Sequence, residues 1–260
     1  MRIATWNVNS LRVHFEHVRR WVGIAKPDVM CLQETKVEDD EFPVLEMTAL
    51  GYPHLAFWGE KTYNGVAIAS KEPLADVQRG FSEGAPDDQP RLVAATVSGI
   101  RVMSCYVPMG TQVGTDKFSY KLAFYSRLKT EVRAALAKHP DLVLCGDLNV
   151  ALTDLDVWDP FEREGQVLFH PTERDALRRV IDAGFVDAWR TKNPKAPEFS
   201  WWDYRSMAWS RNQGLRIDYT LVSKALAPKI TDAAMWKEAR GWNEPSKPSD
   251  HVPVTVDLAA

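Results

Sequence analysis

Short apolar runs rich in β-branched residues alternate along the chain with longer stretches in which apolar positions recur at helical spacing. The short runs lie near Ile3–Trp6, Val29–Leu32, Gly65–Ala69, Leu92–Val97, Val102–Tyr106, Leu142–Cys145, Tyr219–Val222 and Val252–Val256, and each is predicted to be a strand. Helical periodicity covers Val13–Ile24, where Val18, Trp21 and Val22 share a face. It returns over Phe118–Ala137, through Leu122, Tyr125, Leu128, Val132 and Leu136, and again over Arg174–Ala183. Helices mixed with hairpin-like strand pairs predict α/β layers around mixed sheets. Loops are expected at Gly84-Ala85-Pro86-Asp87-Asp88-Gln89-Pro90 and Asn193-Pro194-Lys195-Ala196-Pro197. Both are too short to link domains, and apolar residues are spread along all 260 positions, so one domain over residues 1–260 is expected.

Polar residues interrupt this pattern at the strand ends. The first strand runs into Asn7 and Asn9, the second into Gln33-Glu34-Thr35-Lys36, and Val102–Cys105 into Tyr106-Val107-Pro108. Leu142–Cys145 runs into Gly146-Asp147-Leu148-Asn149, Asp218 precedes Tyr219–Val222, and Ser249-Asp250-His251 precedes the last strand. If neighbouring strands alternate in direction, all these groups crowd one rim of the sheets, where α/β sites usually form. Asn7-Val8-Asn9 and Asp147-Leu148-Asn149 also echo one another, a hint of two related halves.

Each residue alone has an ordinary explanation. A carboxylate after a strand commonly caps the next turn or helix, and His14, His17, His54, His139 and His170 read as hydrogen-bonded surface groups. Acids, amides, a tyrosine and a histidine together at equivalent strand ends suit phosphodiester hydrolysis. Glu34, Asp250 and Asn9 offer the hard oxygen ligands that Mg²⁺ prefers. The His-Glu-x-x-His zinc motif and the Walker loop are absent. Cys31, Cys105 and Cys145 each lie inside an apolar run and fit neither a disulfide framework nor a zinc site, so buried free thiols are expected.

The net charge of −3 argues mildly against a purely electrostatic nucleic-acid binder, but it allows an acidic site with a locally basic rim. No apolar run approaches the roughly 20 residues of a membrane span. The chain opens directly on a strand without a signal peptide, so a cytoplasmic protein is expected, nucleoid-associated in a prokaryote.

The chain resembles the exonuclease III/abasic endonuclease family of the endonuclease–exonuclease–phosphatase superfamily. The matching blocks run nearly end to end: Thr5-Trp6-Asn7-Val8-Asn9-Ser10-Leu11-Arg12, Leu32-Gln33-Glu34-Thr35-Lys36, Asn64-Gly65-Val66-Ala67 and Tyr106-Val107-Pro108. They continue as Gly146-Asp147-Leu148-Asn149-Val150, Phe199-Ser200-Trp201-Trp202-Asp203-Tyr204-Arg205-Ser206, Gly214-Leu215-Arg216-Ile217-Asp218-Tyr219 and Lys247-Pro248-Ser249-Asp250-His251. The resemblance implies a DNase I-like four-layered α/β sandwich, two mixed β-sheets packed face to face with helices outside. It implies a Mg²⁺-dependent nuclease, with Mn²⁺ able to substitute, that cuts the phosphodiester 5′ to an abasic site and has some 3′→5′ exonuclease or 3′-phosphodiesterase activity. Its partner is then double-stranded DNA containing abasic sites or 3′ ends, met by a monomer without a membrane.

By the same resemblance Glu34 is the main metal ligand, with Asn7, Asn9 and Asp250 around the ion. Asp147 activates the water and is positioned with Asn149, His251 contacts the scissile phosphate and is oriented by Asp218, and Tyr106 contacts the phosphate or leaving group. Trp201 matches the family's pocket aromatic, and Trp201, Leu215 and Ile217 should receive the extruded sugar. Lys36, Lys117, Lys121, Arg205 and Arg216, from the loops flanking these blocks, are the candidates for the basic DNA rim. Two positions depart from the usual pattern: Asn9, where some relatives carry Asp, and Met109, where the family often has Asn or Gln. Two other readings stay open at this point, another phosphodiesterase or phosphatase of the superfamily and a catalytically inactive DNA-binding scaffold.

Overall fold

A computed structural model describes residues 1–85 and 88–259, so Pro86 and Asp87 of the loop expected at 84–90 lie outside the described residues. The strands are β1 (Arg2–Asn7), β2 (Val29–Gln33), β3 (His54–Trp58), β4 (Val66–Ser70), β5 (Leu74–Arg79), β6 (Leu92–Val97), β7 (Ile100–Tyr106), β8 (Leu142–Asp147), β9 (Phe185–Asp187), β10 (Asp218–Ser223), β11 (Ile230–Met235) and β12 (Val254–Leu258). The helices are α1 (Phe15–Ala25), α2 (Val44–Ala49), α3 (Asp116–Lys138), α4 (Pro160–Arg163), α5 (Pro171–Ile181) and α6 (Ala188–Lys192).

The strands form two six-stranded mixed sheets, in the orders β11-β12-β1-β2-β4-β3 and β5-β6-β7-β8-β10-β9. Each is built on a central parallel pair, β1 with β2 and β7 with β8. Side chains alternate along each strand. Ile3, Val29, Cys31 and Ile68 of one sheet meet Val93, Val102, Val143 and Cys145 of the other in the middle layer. Ala4, Trp6, Met30 and Leu32 point the opposite way, onto Val18, Trp21 and Val22 of α1. On the far side Met103, Cys105 and Leu144 pack under Phe124, Tyr125 and Leu128 of α3 and Leu177 and Val180 of α5. Both faces of the central strands are therefore buried, which is why they read as continuous apolar runs and not as alternating ones. Fully burying one such side chain contributes roughly 1.5–3 kcal/mol. All three cysteines are buried and free.

Among the described residues four strands lie outside the runs read from the sequence, and they are the four sheet edges: β3, β5, β9 and β11. An edge strand has one partner and little cover. No residue of β5 is fully buried and its ladder shifts register between Ala75 and Gln78, and β9 has only three residues. Helix α1 starts later than Val13, because Ser10–His14 turn in a separate hydrogen-bonded loop that ends with His14 N donating to Ser10 O at 3.1 Å. The last strand also starts later than Val252, since Val252 N donates to Ser200 O at 2.8 Å outside the main sheet.

Candidate active site

The two central pairs end on the same rim. Parallel pairing brings Asn7 beside Gln33 and Tyr106 beside Asp147, while antiparallel β10 begins there, with Asp218 in register with Asp147. Strand alternation therefore accounts for only part of the crowding, and parallel neighbours supply the rest. Gly146 is required for the close approach of β7 and β8, since a Cβ at this position would lie 1.8 Å from Cys105 O.

At the ends of β1 and β8 the chain makes the same turn twice. Asn9 N donates to Asn7 Oδ1 at 3.0 Å, and Asn149 N donates to Asp147 Oδ1 at 3.0 Å. Asn9 and Asn149 both adopt left-handed backbone, with φ of 45° and 52°, a region in which asparagine is enriched among side-chain-bearing residues. Glu34 and Lys36 also have positive φ, 51° and 52°. Backbone hydrogen bonds hold them there: Ser10 N to Glu34 O at 2.8 Å, and Lys36 N to Asn64 O at 3.0 Å. Such strain costs of the order of 1–3 kcal/mol and persists where the surroundings over-determine it.

The side chains converge. Asn7 Nδ2 donates to Glu34 Oε1 at 2.7 Å and to Asp147 Oδ2 at 2.9 Å. His251 Nδ1 lies 2.8 Å from Asp218 Oδ2, and its Nε2 faces Asp147 Oδ2 at 3.7 Å. Ligand-capable atoms of Glu34, Asp147 and His251 all lie within 4.8 Å of one another. Serines fix the surrounding loops. Ser249 Oγ donates to Asn7 O at 2.8 Å and accepts His251 N at 3.2 Å, and Ser200 Oγ accepts both Ile217 N and Asp218 N at 3.0 Å.

Burial and charge divide the roles. Burial raises the Asp147 carboxyl to about 7; Asp218 and Glu34 push it the same way, while His251 and Asn7 oppose them. Burial would lower His251, but Asp218 and Asp147 overcome it and raise the imidazole to about 10, so it is a cation at neutral pH. Burial also pushes the Glu34 carboxyl up, yet Lys36 and Asn7 outweigh it and leave this group below its ordinary value. Tyr106 is driven well up by burial and then by the Glu34 and Asp147 charges, so its hydroxyl keeps its proton.

A cation is favoured beside Glu34. The Lys36 ammonium sits there, 2.8 Å from Glu34 Oε2 and 2.5 Å from Asn9 Oδ1. Lys36, one of the expected rim residues, thus stands at the edge of the site, with its side chain partly exposed. Asp250 stands one step further out, accepting from Asn9 Nδ2 at 3.0 Å and from Trp201 Nε1 at 2.9 Å.

Two of the expected rim residues are corrected. Lys121 is 0% exposed and ion-paired with Glu173, and Arg216 is 1% exposed between Asp156 and Asp187. An ion fully removed from water needs buried partners, and neither side chain reaches solvent where a phosphate would lie. Lys117 is exposed, and the Arg205 side chain, 84% exposed, is paired with Asp203. His14 and His17 are hydrogen-bonded as expected, but buried.

Trp201 bridges the site and the expected sugar pocket. Its backbone pairs with both Leu215 and His251. Leu215 and Ile217 are only 1% exposed, closed in by Ala151, Val157, Leu168 and Phe169 with Trp201 against them. These residues form a packed apolar cluster next to His251, with no open wall at Leu215 or Ile217.

A groove of about 440 Å³ beside the site was not anticipated from the sequence; Asn64, Arg91, Tyr106, Met109 and Lys117 line it. The Arg91 guanidinium lies 4.8 Å from the Tyr106 ring centroid. Counting back from the β6–β7 hairpin turn puts Arg91 opposite Tyr106, so the register held this signal: Leu92 pairs with Cys105, and Tyr106 N donates to Arg91 O.

The profile of the Endonuclease/Exonuclease/phosphatase family matches residues 4–251 of the chain. Exodeoxyribonuclease III of Haemophilus influenzae is 34% identical to it, over 99% of the chain and 100% of the relative. The fold is similar to that of a 3′ phosphatase, NExo, from Neisseria, solved with a product DNA hairpin, with TM-score 0.96, 38% identity and full coverage of both chains. An AP endonuclease from Archaeoglobus fulgidus gives TM-score 0.94 and 37% identity, again with full coverage of both.

Proposed function

The chain belongs to the endonuclease/exonuclease/phosphatase family, and from that premise we propose that it is a divalent-metal-dependent DNA repair nuclease. Its substrates are duplexes with abasic sites, cut on the 5′ side of the lesion, and 3′ ends. The observation that carries this reading is the gap between Asp147 Oδ2 and His251 Nε2, 3.7 Å across, with Asp218 behind the imidazole and Asn7 behind the carboxylate. A base and a cation face each other there without being committed to a tight ion pair.

The residues fit a hard cation. Glu34 and the Asn9 amide oxygen already hold an ammonium, and Asp250 stands beside Asn9 as a further oxygen donor, while Asn7 turns its Nδ2 to Glu34 and its oxygen to Asn9 N and so braces the set. A divalent cation held by this set would neutralise charge on the phosphate and on the departing oxygen. Asp147 takes the proton of the attacking water as that oxygen bonds to phosphorus, and the P–O3′ bond opposite breaks. The His251 imidazolium donates from Nε2 to a phosphate oxygen, and Asp218 keeps the proton on Nδ1. Asn149 fixes Asp147 through its backbone N–H, while its own amide is tied to Val107 O at 2.9 Å. The protonated Tyr106 hydroxyl can donate to the phosphate or to the 3′ oxygen as it leaves.

The closure of Leu215 and Ile217 favours a second reading of the balance of activities, one weighted towards 3′-end processing. An internal baseless sugar needs an open apolar pocket, whereas a terminal phosphate does not. Both readings are tested on one pair of duplexes, one with a single internal abasic site and one with a blocked 3′ end. Mg²⁺-dependent cleavage of either, abolished by excess chelator, is expected. Full activity in chelator sinks the metal assignment, no cleavage of either duplex sinks the nuclease reading, and the ratio of the two rates decides the balance.

A further inference from the structure

Lys121 lies on the inner face of α3, in line with Phe118, Tyr125 and Leu128, and no part of its side chain reaches solvent. Its ammonium has three partners. Nζ donates to Asn149 O at 2.6 Å and to Met109 O at 3.1 Å, and it is ion-paired with Glu173 Oε1. Met109 belongs to the loop that leaves Tyr106, and Asn149 to the turn that leaves Asp147. One buried cation therefore ties the two strand ends together from behind. Glu173 is itself anchored: its other oxygen accepts His170 N at 3.1 Å, at the start of α5.

The turn after Asp147 is braced at three successive carbonyls. Tyr125 OH donates to Leu148 O, Lys121 Nζ to Asn149 O, and Tyr219 OH to Val150 O at 2.7 Å. Lys121 holds the middle one, on the residue with left-handed backbone whose N–H holds the Asp147 carboxylate. The loop packs closely on the lysine stem as well, since a Cβ at Gly110 would lie 3.0 Å from Lys121 Cδ.

We propose that Lys121 is a positioning residue of the nuclease, holding the Asp147–Asn149 turn and the Tyr106 loop in one register without touching DNA. The inference rests on the nuclease reading above. Losing the ammonium would free Asn149 O and Met109 O, and the base would lose the fixed aim that a pre-organised site requires. Misplacement of about 1 Å can cost roughly 10²-fold in rate, while substrate binding, made elsewhere, is spared.

The test uses Lys121→Met, which keeps the stem, and the double variant Lys121→Met/Glu173→Gln. The double variant removes the carboxylate that would otherwise be left buried and unpaired. Steady-state cleavage of an abasic duplex in saturating Mg²⁺ is measured together with duplex binding in chelator as a function of salt. In the folded double variant kcat should fall about 10- to 100-fold. KM should stay within about threefold, and the salt dependence of binding should match wild type. Retained kcat overturns the proposal. So does a salt dependence flattened by about one unit, the sign of a lost phosphate contact. Failure of the wild-type protein to cleave any duplex would instead remove the nuclease reading, and this inference with it.

Discussion

The turns after β1 and β8 share a backbone and differ in chemistry. Each ends a central strand, each places an asparagine in left-handed backbone two residues later, and each closes on the first side chain at 3.0 Å. Each is also held from behind, the first by Ser249 on Asn7 O and His14 on Val8 O, the second by Tyr125, Lys121 and Tyr219. The first side chain is an amide in one turn and a carboxylate in the other. The amide lies in the half that attracts a cation, beside Glu34 and Lys36, and the carboxylate lies beside His251 and Asp218, in the half that takes a proton in the proposed mechanism. One oxygen-to-nitrogen exchange at equivalent positions thus separates two jobs on one frame.

The largest effect should come from erasing that difference. Asp147→Asn makes the two turns alike and leaves no base. Losing a positioned general base costs about 10²–10⁴-fold in kcat. The introduced amide oxygen can still accept Asn149 N, so the turn should be retained, while its Nδ2 meets Asn7 Nδ2 and that one hydrogen bond is lost. Single-turnover cleavage and DNA binding, measured together, check this: kcat near wild type would show that the water is activated elsewhere.

Breaking the other half is the next largest change. Glu34→Gln keeps the hydrogen bond from Asn7 but removes the charge that now attracts Lys36. Affinity for Mg²⁺ should fall by at least the roughly 10- to 100-fold that loss of a supporting partner costs a metal site. Titration calorimetry on the protein without DNA reads this directly, and unchanged affinity would move the metal away from Glu34.

The halves should also titrate differently. Glu34 is held below its ordinary pKa and stays ionised across the working range, so it adds no limb to the profile. Asp147 must lose its proton to act. Activity therefore rises with pH through its pKa, about 7 in the metal-free protein and lower once a cation is bound. His251 must keep its proton, so activity falls as pH passes through its pKa, about 10 in the metal-free protein and lower beside a bound cation. The raised imidazole owes most to Asp218 among its supporting charges, and Asp218→Asn should move the alkaline limb down. An alkaline limb that does not move would exclude His251 as its source.

How much of this was legible in the sequence depends on where a residue's partners lie. Asn7, Glu34, Tyr106, Asp147, Asp218 and His251 flank strands that are buried on both faces, so the apolar runs that mark the strands also mark the rim. The edge strands β5, β9 and β11 lack such runs, and β3, with Leu55-Ala56-Phe57-Trp58, has one that is only half-buried. Lys121 and Arg216 looked like rim cations because their counter-charges are remote, Glu173 lying 52 residues from Lys121 and Asp156 lying 60 from Arg216. Helical spacing alone would have turned Lys121 inward, since it shares a face with Tyr125 and Leu128, but a charged residue on an apolar face is usually discounted. The near-identity of the two turns was visible only as a three-residue echo, because the likeness is one of backbone and not of side chains.

The smallest predicted effect sharpens the comparison from the side of Asn9. This asparagine donates Nδ2 to Asp250 Oδ1 at 3.0 Å while its oxygen accepts from Lys36. Asn9→Asp removes the donor and sets a second carboxylate against Asp250. A hydrogen bond to a charged group contributes about 1.5–3 kcal/mol. The gain at Lys36 is smaller, since a partly exposed ion pair is worth only about 0–1 kcal/mol. Without metal the variant should therefore be less stable, by about 1–2 kcal/mol once the two are set against each other. At roughly 2–4 °C per kcal/mol for a chain somewhat smaller than this one, the melting temperature in chelator should drop by a few degrees. A divalent cation held by Glu34, Asp250 and the introduced carboxylate would reverse the sign of that interaction, because the two aspartates would then face positive charge in place of each other. Melting in saturating Mg²⁺ should close or invert the gap, and the variant should bind Mg²⁺ more tightly than wild type. An equal drop with and without Mg²⁺ would mean that Asn9 braces the loop at Asp250 and takes no part in holding the ion. The chemical division would then run between Glu34 and Asp147, and not between the two turns.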